Sequence, residues 1–432
     1  MIRGVGLRGA VAINVATMIG AGPLVTIPLV VTALHGSVSV VAWIAGASIA
    51  LCDGLCYAEL ASRFPRSGGT YAYLREAFGP RYGRFAAFLF VWQFLFWAPL
   101  TLATGYIGFA QYASYLMPAL AAPAAQHALA LGVGVATLLA LYRTIPRVAG
   151  TALVLGTIAL GTLAVVAVCG LAHPTQDFAA LVPRALGANG FGAAALGAAL
   201  VITLYDYGGY AGICSLGDEV IAPVRTIPRA VVLSVAFVAL AYIALNLGIF
   251  AALPVRDVAS STFVASLAVE RTAGPVAAVI VTFAVLITAF ASTYGLLLGA
   301  SRIPYAAALE GDFLPAFARL HPTKRLPHVS LFALGALALP ASLFPLDAVI
   351  NALTAGIVLV QGAATNLALI AVRARGDRAP FRLPLHPLPA LVALGSWLFL
   401  FWSSGPAAMV FGITTLAAGA FVYALYARRA RS

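Results

Sequence analysis

Apolar runs about as long as the hydrocarbon core of a bilayer is thick recur from one end of this chain to the other, and no other feature limits its fold as strongly. Ending each run at charge clusters, Pro or Gly gives twelve, near residues 9–34, 38–62, 82–115, 126–145, 148–172, 191–216, 228–253, 274–301, 328–344, 348–372, 388–403 and 406–427. In lipid a segment must satisfy its own backbone groups, so each run reads as a helix. Twelve spans of about 20 residues use roughly 240 positions. The 432-residue chain then has room for loops and helix ends but for no large soluble domain. With 62% of residues hydrophobic and 9% charged, the composition argues against a soluble enzyme. Cys52, Cys56, Cys169 and Cys214 all fall inside apolar runs, as small buried hydrophobes do, and suggest no disulfide framework.

A formal net charge of +12 would suggest nucleic-acid binding if the basic residues formed a patch, but they do not. They gather in every second connection. With the N-terminus placed inside, 22 of the 25, from Arg3 and Arg8 to Arg428, Arg429 and Arg431, fall on the cytoplasmic side; only Arg184, Arg256 and Arg271 fall outside. This bias is topological, predicts both termini in the cytoplasm of an inner-membrane protein, and excludes a nucleic-acid partner. The first run follows Arg3 and Arg8 without a small-residue cleavage site and reads as an uncleaved span.

Two runs are interrupted where a helix should be continuous. The first contains Thr17-Met18-Ile19-Gly20-Ala21-Gly22-Pro23, with two glycines that permit unwinding and a proline suited to the first turn of a new half-helix. The sixth contains Thr203-Leu204-Tyr205-Asp206-Tyr207-Gly208-Gly209-Tyr210, an acid and paired glycines at mid-run. Either alone reads first as close packing through small residues. Together they lie five spans apart, an offset that inverts the second copy, and paired interruptions in inverted halves point to a carrier's substrate site. The amides of Gly20, Ala21 and Gly22 at the start of a half-helix suit a carboxylate. Carbonyls freed near Thr17, Met18, Tyr205 and Asp206 suit an ammonium. The expected ligand is therefore a small zwitterion, an amino acid or amine, met by backbone, with Thr17 to Gly22 and Leu204 to Gly209 as the candidate binding stretches.

Further segments carry a family resemblance: Met18-Ile19-Gly20-Ala21-Gly22-Pro23, Cys56-Tyr57-Ala58-Glu59-Leu60 followed by Phe64-Pro65-Arg66-Ser67-Gly68-Gly69-Thr70-Tyr71, and Gly217-Asp218-Glu219-Val220 running to Thr226-Ile227-Pro228-Arg229. Ser301-Arg302, Gly311-Asp312-Phe313-Leu314-Pro315 and Pro380-Phe381-Arg382-Leu383-Pro384 follow in order. Over nearly its whole length the chain resembles the amino acid-polyamine-organocation superfamily, nearest its L-type bacterial permeases. The resemblance implies an all-α membrane protein with a LeuT-type fold, two inverted five-helix repeats (residues 1–172 and 173–372) and two appended helices (373–432). It also implies amino-acid uptake or exchange by alternating access, with substrate between spans 1, 3, 6, 8 and 10. Many relatives carry a fifth-span lysine, whereas residues 148–172 hold no Lys, Arg or His, with Gly156 and Thr157 as the nearest small candidates. Relatives also commonly place an aromatic after a sixth-span Asp-Gly pair, where this chain has Tyr207-Gly208-Gly209.

Acids at membrane depth are functional candidates by default. Asp206 either caps the second half-helix or titrates and meets a substrate amine. Asp53 is either a proton site or an acid satisfied by neighbouring hydroxyls or water. Glu59, four residues before Arg63, reads as a helical ion pair. Asp218 and Glu219 form either a solvated loop or an inner gate against the arginines after span 2. Ser292 and Thr293 either join first-span carbonyls around sodium or bond their own backbone. Phe94, Trp97 and Tyr294, with Tyr205 and Tyr207, are aromatics that either line a pocket or pack. The six histidines sit in loops or at span ends, so no metal, cofactor or catalytic role is expected. A polyamine or cationic amino-acid permease is the alternative substrate reading, and a channel or membrane sensor the alternative class. Partners are expected to be the solute and the bilayer, with the protein a monomer or weak homo-oligomer.

Overall fold

A computed structural model of the chain describes residues 4–34, 39–65, 68–142, 146–176, 192–324, 326–376 and 379–429, with backbone alone at 80–81, 146–156 and 428–429. Arg3, Arg66, Ser67, Arg184 and Arg431 lie outside the described residues, as does any side-chain surrounding of Gly156.

The described residues are almost wholly helical. The first span is a pair, α1 (Leu7–Met18) and α2 (Gly22–Leu34), bent by 53° at the three residues between them. Then come α3 (Ser39–Arg63), a connecting α4 (Thr70–Ala77), α5 (Gly79–Leu116), α6 (Pro123–Leu141) and α7 (Pro146–Ala172). The sixth run gives α8 (Ala193–Tyr207), and α9 (Pro223–Ala252) follows. Two short helices, α10 (Val255–Ser260) and α11 (Val264–Ala273), lead to α12 (Pro275–Ala300) and α13 (Arg302–Leu309). The rest comprises α14 (His328–Ala341), α15 (Leu346–Ile357), a π-helical segment (Val358–Ala364), α16 (Thr365–Ala374), α17 (Leu388–Ser403) and α18 (Pro406–Arg429). Proline begins α6, α9, α12 and α18, where its missing N–H costs nothing and its fixed φ suits the first turn.

Seven helices are long and apolar enough to cross a membrane, eight with the bent pair taken as one span. The other four expected spans, the fifth, sixth, ninth and eleventh, coincide with shorter apolar helices of 10–17 described residues. Exposed Leu240, Val276, Ile280 and Phe421 on the outward faces are what a lipid-facing surface requires.

The helices pack as two clusters of buried side chains. One joins α1, α2, α3, α8 and α9 and holds both breaks. The other joins α5, α6, α12, α13 and α14. Charged contacts stitch the ends. Arg84 Nε donates to Asp312 Oδ1 at 2.8 Å, Tyr71 hydroxyl to Asp312 Oδ2 at 2.7 Å, and Arg75 pairs with Glu310, so α4 and the start of α5 are held to the turn after α13.

Two details depart from the sequence expectation. The sixth span ends as a helix at Tyr207 rather than running to residue 216; turns and one 3₁₀ turn, Gly212–Ser215, follow. The tenth span, expected to be regular, loosens into the π segment at Val358–Ala364.

Candidate functional site

The first break forms as the glycines suggest. Met18 is the last residue of α1, Ile19 is extended (φ −84°, ψ 114°), and α2 resumes at Gly22 with Pro23 inside its first turn. The second break starts later than expected. Leu204, Tyr205, Asp206 and Tyr207 remain helical, and only Gly208 and Gly209 leave the helix; the Gly208 N–H closes the last turn on the Tyr205 carbonyl at 3.0 Å. Helical bonding survives up to the glycine pair because nothing before it disfavours a helix enough to stop it.

The breaks touch. Thr17 Oγ1 donates to the Gly209 carbonyl at 3.1 Å. Gly209 has φ +104°, and a Cβ there would stand 2.5 Å from the Thr17 carbonyl oxygen, so both conformation and proximity demand glycine. At Gly22 a Cβ would collide with Asp206 Oδ1 and meet the Tyr205 ring edge at 3.5 Å. The start of α2 is thus packed directly on the end of α8.

Asp206 is buried, and Thr26, one turn into α2, donates to its Oδ2 at 2.5 Å. Its Oδ1 has no hydrogen-bond partner among the described residues. The capping alternative is corrected: Asp206 lies within α8, and the following 3₁₀ turn begins after Ala211 without a side-chain cap. Tyr205 crosses to α5, where its hydroxyl lies 2.6 Å from Thr104 Oγ1. The Met18 and Asp206 carbonyls, expected to be open, both lie within reach of the Tyr242 hydroxyl of α9, at 2.9 and 3.2 Å.

Asn14 ties α1 to the segment after the second break. Its Nδ2 donates to the Tyr210 carbonyl and to Ser234 Oγ, both at 2.7 Å, and its Oδ1 accepts from the Ile213 N–H at 3.1 Å. Tyr210 in turn donates to Asp53 Oδ2 at 2.6 Å, while Asn366 Nδ2 and Trp397 Nε1 donate to Oδ1 at 2.6 and 3.1 Å. Asp53 therefore sits among three neutral donors from three other parts of the chain, one hydroxyl, one amide and one indole, where the sequence expectation is hydroxyls or water. Glu59 pairs with Arg63 at 2.9 Å as its spacing predicts, and also holds Arg373 and the Leu383 N–H, the latter at 2.7 Å.

The remaining candidates divide. Ser292 Oγ lies against Gly20, 2.9 Å from where a Cβ would stand, and donates to Thr288; Thr293 donates to Phe290. Both hydroxyls thus bond their own helix. Phe94 and Tyr294 belong to the second cluster, and Phe94 packs edge-on at 4.7 Å to Trp97, which packs against both clusters. At Glu219 the main chain does the joining: its carbonyl accepts from the Gly4 and Val5 N–H groups at 3.0 Å, and Ile221 donates back to Val5 at 2.9 Å. A gate against Arg66 falls outside the described residues, and Arg63 is engaged by Glu59.

Asn14, Thr26, Thr104, Tyr242, Asn366 and Trp397 were not singled out by sequence. Span 7 did carry a signal: beyond Arg229 its helix is apolar except for Ser234, Tyr242 and Asn246, spaced 8 and 4.

The described chain, almost wholly helical and with this many apolar spans, is a multi-pass membrane protein, and inside it the break of the first span meets the end of α8. The chain belongs to the amino acid permease family, whose model matches residues 5–427, within the APC superfamily and related to the L-type amino-acid transporters. It is 26% identical to the serine/threonine exchanger of Bacillus subtilis over 92% of this chain and 90% of that one. It is 30% identical to an uncharacterized transporter of Mycobacterium tuberculosis, over 99% and 93%. The cystine/glutamate transporter of Homo sapiens is 29% identical, over 89% and 77%. These relatives and the family are transporters, not enzymes.

Proposed function

We propose that the protein is a secondary carrier of amino acids that works by alternating access, proton-coupled or exchanging. On this reading it has twelve spans: two inverted sets of five, residues 1–172 and 173–372, and two appended helices in 373–432. Both termini face the cytoplasm across the inner membrane.

The observation that carries the reading is the meeting of the two breaks, Thr17 on Gly209 and Asp206 on Gly22. Two interrupted helices in contact bring unwound peptide groups to one place. The amides of Gly20, Ala21 and Gly22 take the substrate carboxylate at the positive end of α2. The ammonium turns to the carbonyl end of α1 and to Gly208 and Gly209. The side chain points toward the Tyr205 and Thr104 hydroxyls, so small polar amino acids are the first to try. The name of the serine/threonine exchanger supports the same choice.

The test is uptake by purified protein in liposomes, with L-serine, L-threonine, L-leucine, L-glutamate, L-lysine and putrescine offered singly under proton and sodium gradients imposed separately. Saturable uptake, and counterflow from preloaded vesicles, are expected. Channel-sized currents that neither saturate nor show counterflow would reject a carrier.

One observation favours a second reading, transport of cationic amino acids or polyamines: Asp206 Oδ1 is buried without a partner at the break. A free carboxylate oxygen attracts an amine and repels a substrate carboxylate. Failure of lysine, arginine and putrescine to compete with a transported neutral amino acid removes this reading.

A further inference from the structure

Asp53 is a buried carboxyl group without a counter-ion. It is 1% exposed in α3, and its three partners are neutral donors: the Tyr210 hydroxyl at 2.6 Å on Oδ2, with Asn366 Nδ2 at 2.6 Å and Trp397 Nε1 at 3.1 Å on Oδ1. They come from the segment after the second break, from α16 and from α17. Among the described residues no cation pairs with it. Three hydrogen bonds offset part of the cost of burying a carboxylate, and a counter-charge or a proton removes the rest.

The partners decide where a proton can go. An indole N–H only donates. The Asn366 amide is turned by its second contact, Nδ2 to the Gly362 carbonyl at 3.0 Å, so that its nitrogen faces both acceptors. Exchanging its oxygen and nitrogen would set oxygen against oxygen at both contacts. Only the Tyr210 hydroxyl can accept as well as donate. A proton taken at Oδ2 therefore reverses the bond to Tyr210 and leaves the two bonds on Oδ1 in place. Trp397 reaches in because Gly362, in the π segment, has no side chain; a Cβ there would stand 2.5 Å from the Trp397 ring. The other ionisable groups near Asp53 are Cys52, Cys56 and Tyr57 of α3 itself. Further along α3, Glu59 is taken up by Arg63 and Arg373. From α9, Val231 meets the neighbouring Gly54.

We propose that Asp53 is the carrier's proton site, loaded from water on one side of the membrane and emptied on the other, which makes the proton the coupling ion. The inference rests on the amino-acid-carrier reading and names the ion which that reading leaves open. Loading forms one O–H bond at Oδ2 and unloading breaks it. Nothing is oxidised or reduced, and one positive charge crosses with each zwitterion. The site is shut in this conformation, so a proton enters or leaves only when α3 parts from one of the three elements that enclose the carboxyl group. Proton exchange is thereby tied to movement. The reversible bond belongs to the segment that follows Gly208 and Gly209, and the Tyr210 carbonyl is held by Asn14 of α1 at 2.7 Å. The charge on Asp53 therefore acts on the stretch of chain that is joined to both broken spans.

The experiment places purified wild type, Asp53→Asn and Trp397→Phe in liposomes that contain a trapped pH-sensitive dye. Labelled L-serine, or the best transported amino acid of the panel above, is the probe, and protons and substrate are read together. The wild type is expected to move about one proton per substrate, the capacity of one carboxylate. Asp53→Asn keeps the size of the side chain, and the ratio should fall to near zero. Trp397→Phe keeps the acid and removes a donor that favours its charged form, so the proton binds more tightly. Uptake falls as rising pH strips the proton from Asp53, and in Trp397→Phe the midpoint of that fall should move up by about one pH unit, the scale of one hydrogen bond to a charge. Loss of folded protein lowers the amplitude of the profile and leaves its midpoint in place. Where Asp53→Asn shows neither uptake nor counterflow, the midpoint in Trp397→Phe decides. An unchanged ratio in Asp53→Asn, or an unmoved midpoint in Trp397→Phe, overturns the inference. Wild-type counterflow without substrate-linked proton movement overturns it alone and leaves the carrier reading standing. Absence of both uptake and counterflow in the wild type overturns the carrier reading and this inference with it.

Discussion

At the residue scale, Asp206 and Gly209 carry different burdens. Asp206 offers one oxygen to Thr26 and leaves the other without a partner beside Gly22, an arrangement that is costly unless a proton or a ligand completes it. Asp206→Asn keeps the shape and removes the group that can ionise. It should raise KM for the transported substrate about tenfold or more, the effect of one charge-assisted hydrogen bond. Initial rates across pH check this, and kinetics unchanged from wild type over the whole range would take Asp206 out of the site. Gly209→Ala acts through backbone strain. With φ at +104° and the Thr17 carbonyl where a Cβ would go, the variant should lose about 1–3 kcal/mol of stability, read as a lower melting temperature in detergent. Sequence marked both residues, the acid by its depth and the glycine by its pairing. It could not give Asp206 its neighbours, because Thr26 is 180 positions away.

At the scale of elements, the spans hold one another through buried polar groups whose partners come from distant parts of the chain. Asp53 receives donors from Tyr210, Asn366 and Trp397, which joins α3 to the segment after the second break, to α16 and to α17. Glu59 receives Arg63 from its own helix and Arg373 from α16. Only the Arg63 pair could be read from spacing, since i to i+4 is a local rule and the Arg373 pair spans more than three hundred positions. Removing Arg373 leaves the buried Glu59 with one cation fewer. Arg373→Ala should cost about 2–4 kcal/mol, and a thermal shift within one degree of wild type would show that the pair adds nothing. Break positions were legible to within a few residues. The first fell where two glycines and a proline stand together, while the second began at Gly208 rather than Tyr205, because a helix continues until a residue stops it. The π segment at Val358–Ala364 had no sequence signal. It frees the Gln361 carbonyl to accept from Tyr57 at 3.1 Å, a contact between spans that local pattern cannot contain.

At the scale of the whole molecule, the charge bias and the span number depend on each other. On the twelve-span reading both termini lie on one side, and the arginine distribution predicts that this side is the cytoplasm. A green fluorescent protein fused to the C-terminus should therefore fluoresce, and alkaline phosphatase fused at the same point should stay inactive. Active phosphatase would require an odd number of spans or the opposite orientation and would overturn the cytoplasmic placement of the C-terminus. The packing into two clusters, one containing the breaks and the other Phe94 and Tyr294, also separates the aromatic candidates. From sequence all five aromatic candidates looked alike. In the fold Tyr205 and Tyr207 lie in the last turn before the second break, Phe94 and Tyr294 belong to the second cluster, and Trp97 packs against both.

What the sequence by itself determined is what hydrocarbon enforces locally: apolar length, the side on which arginine stays, and the places where glycine lets a helix come apart. Each depends on residues close together in the chain and on the solvent around them. Only the tertiary structure decided which polar groups share a partner, that Tyr242 lies between Met18 and Asp206 and that Asp53 closes on Tyr210, Asn366 and Trp397. The physical reason is that a buried hydrogen bond is fixed by distances of about 3 Å between atoms whose separation along the chain carries no information about it.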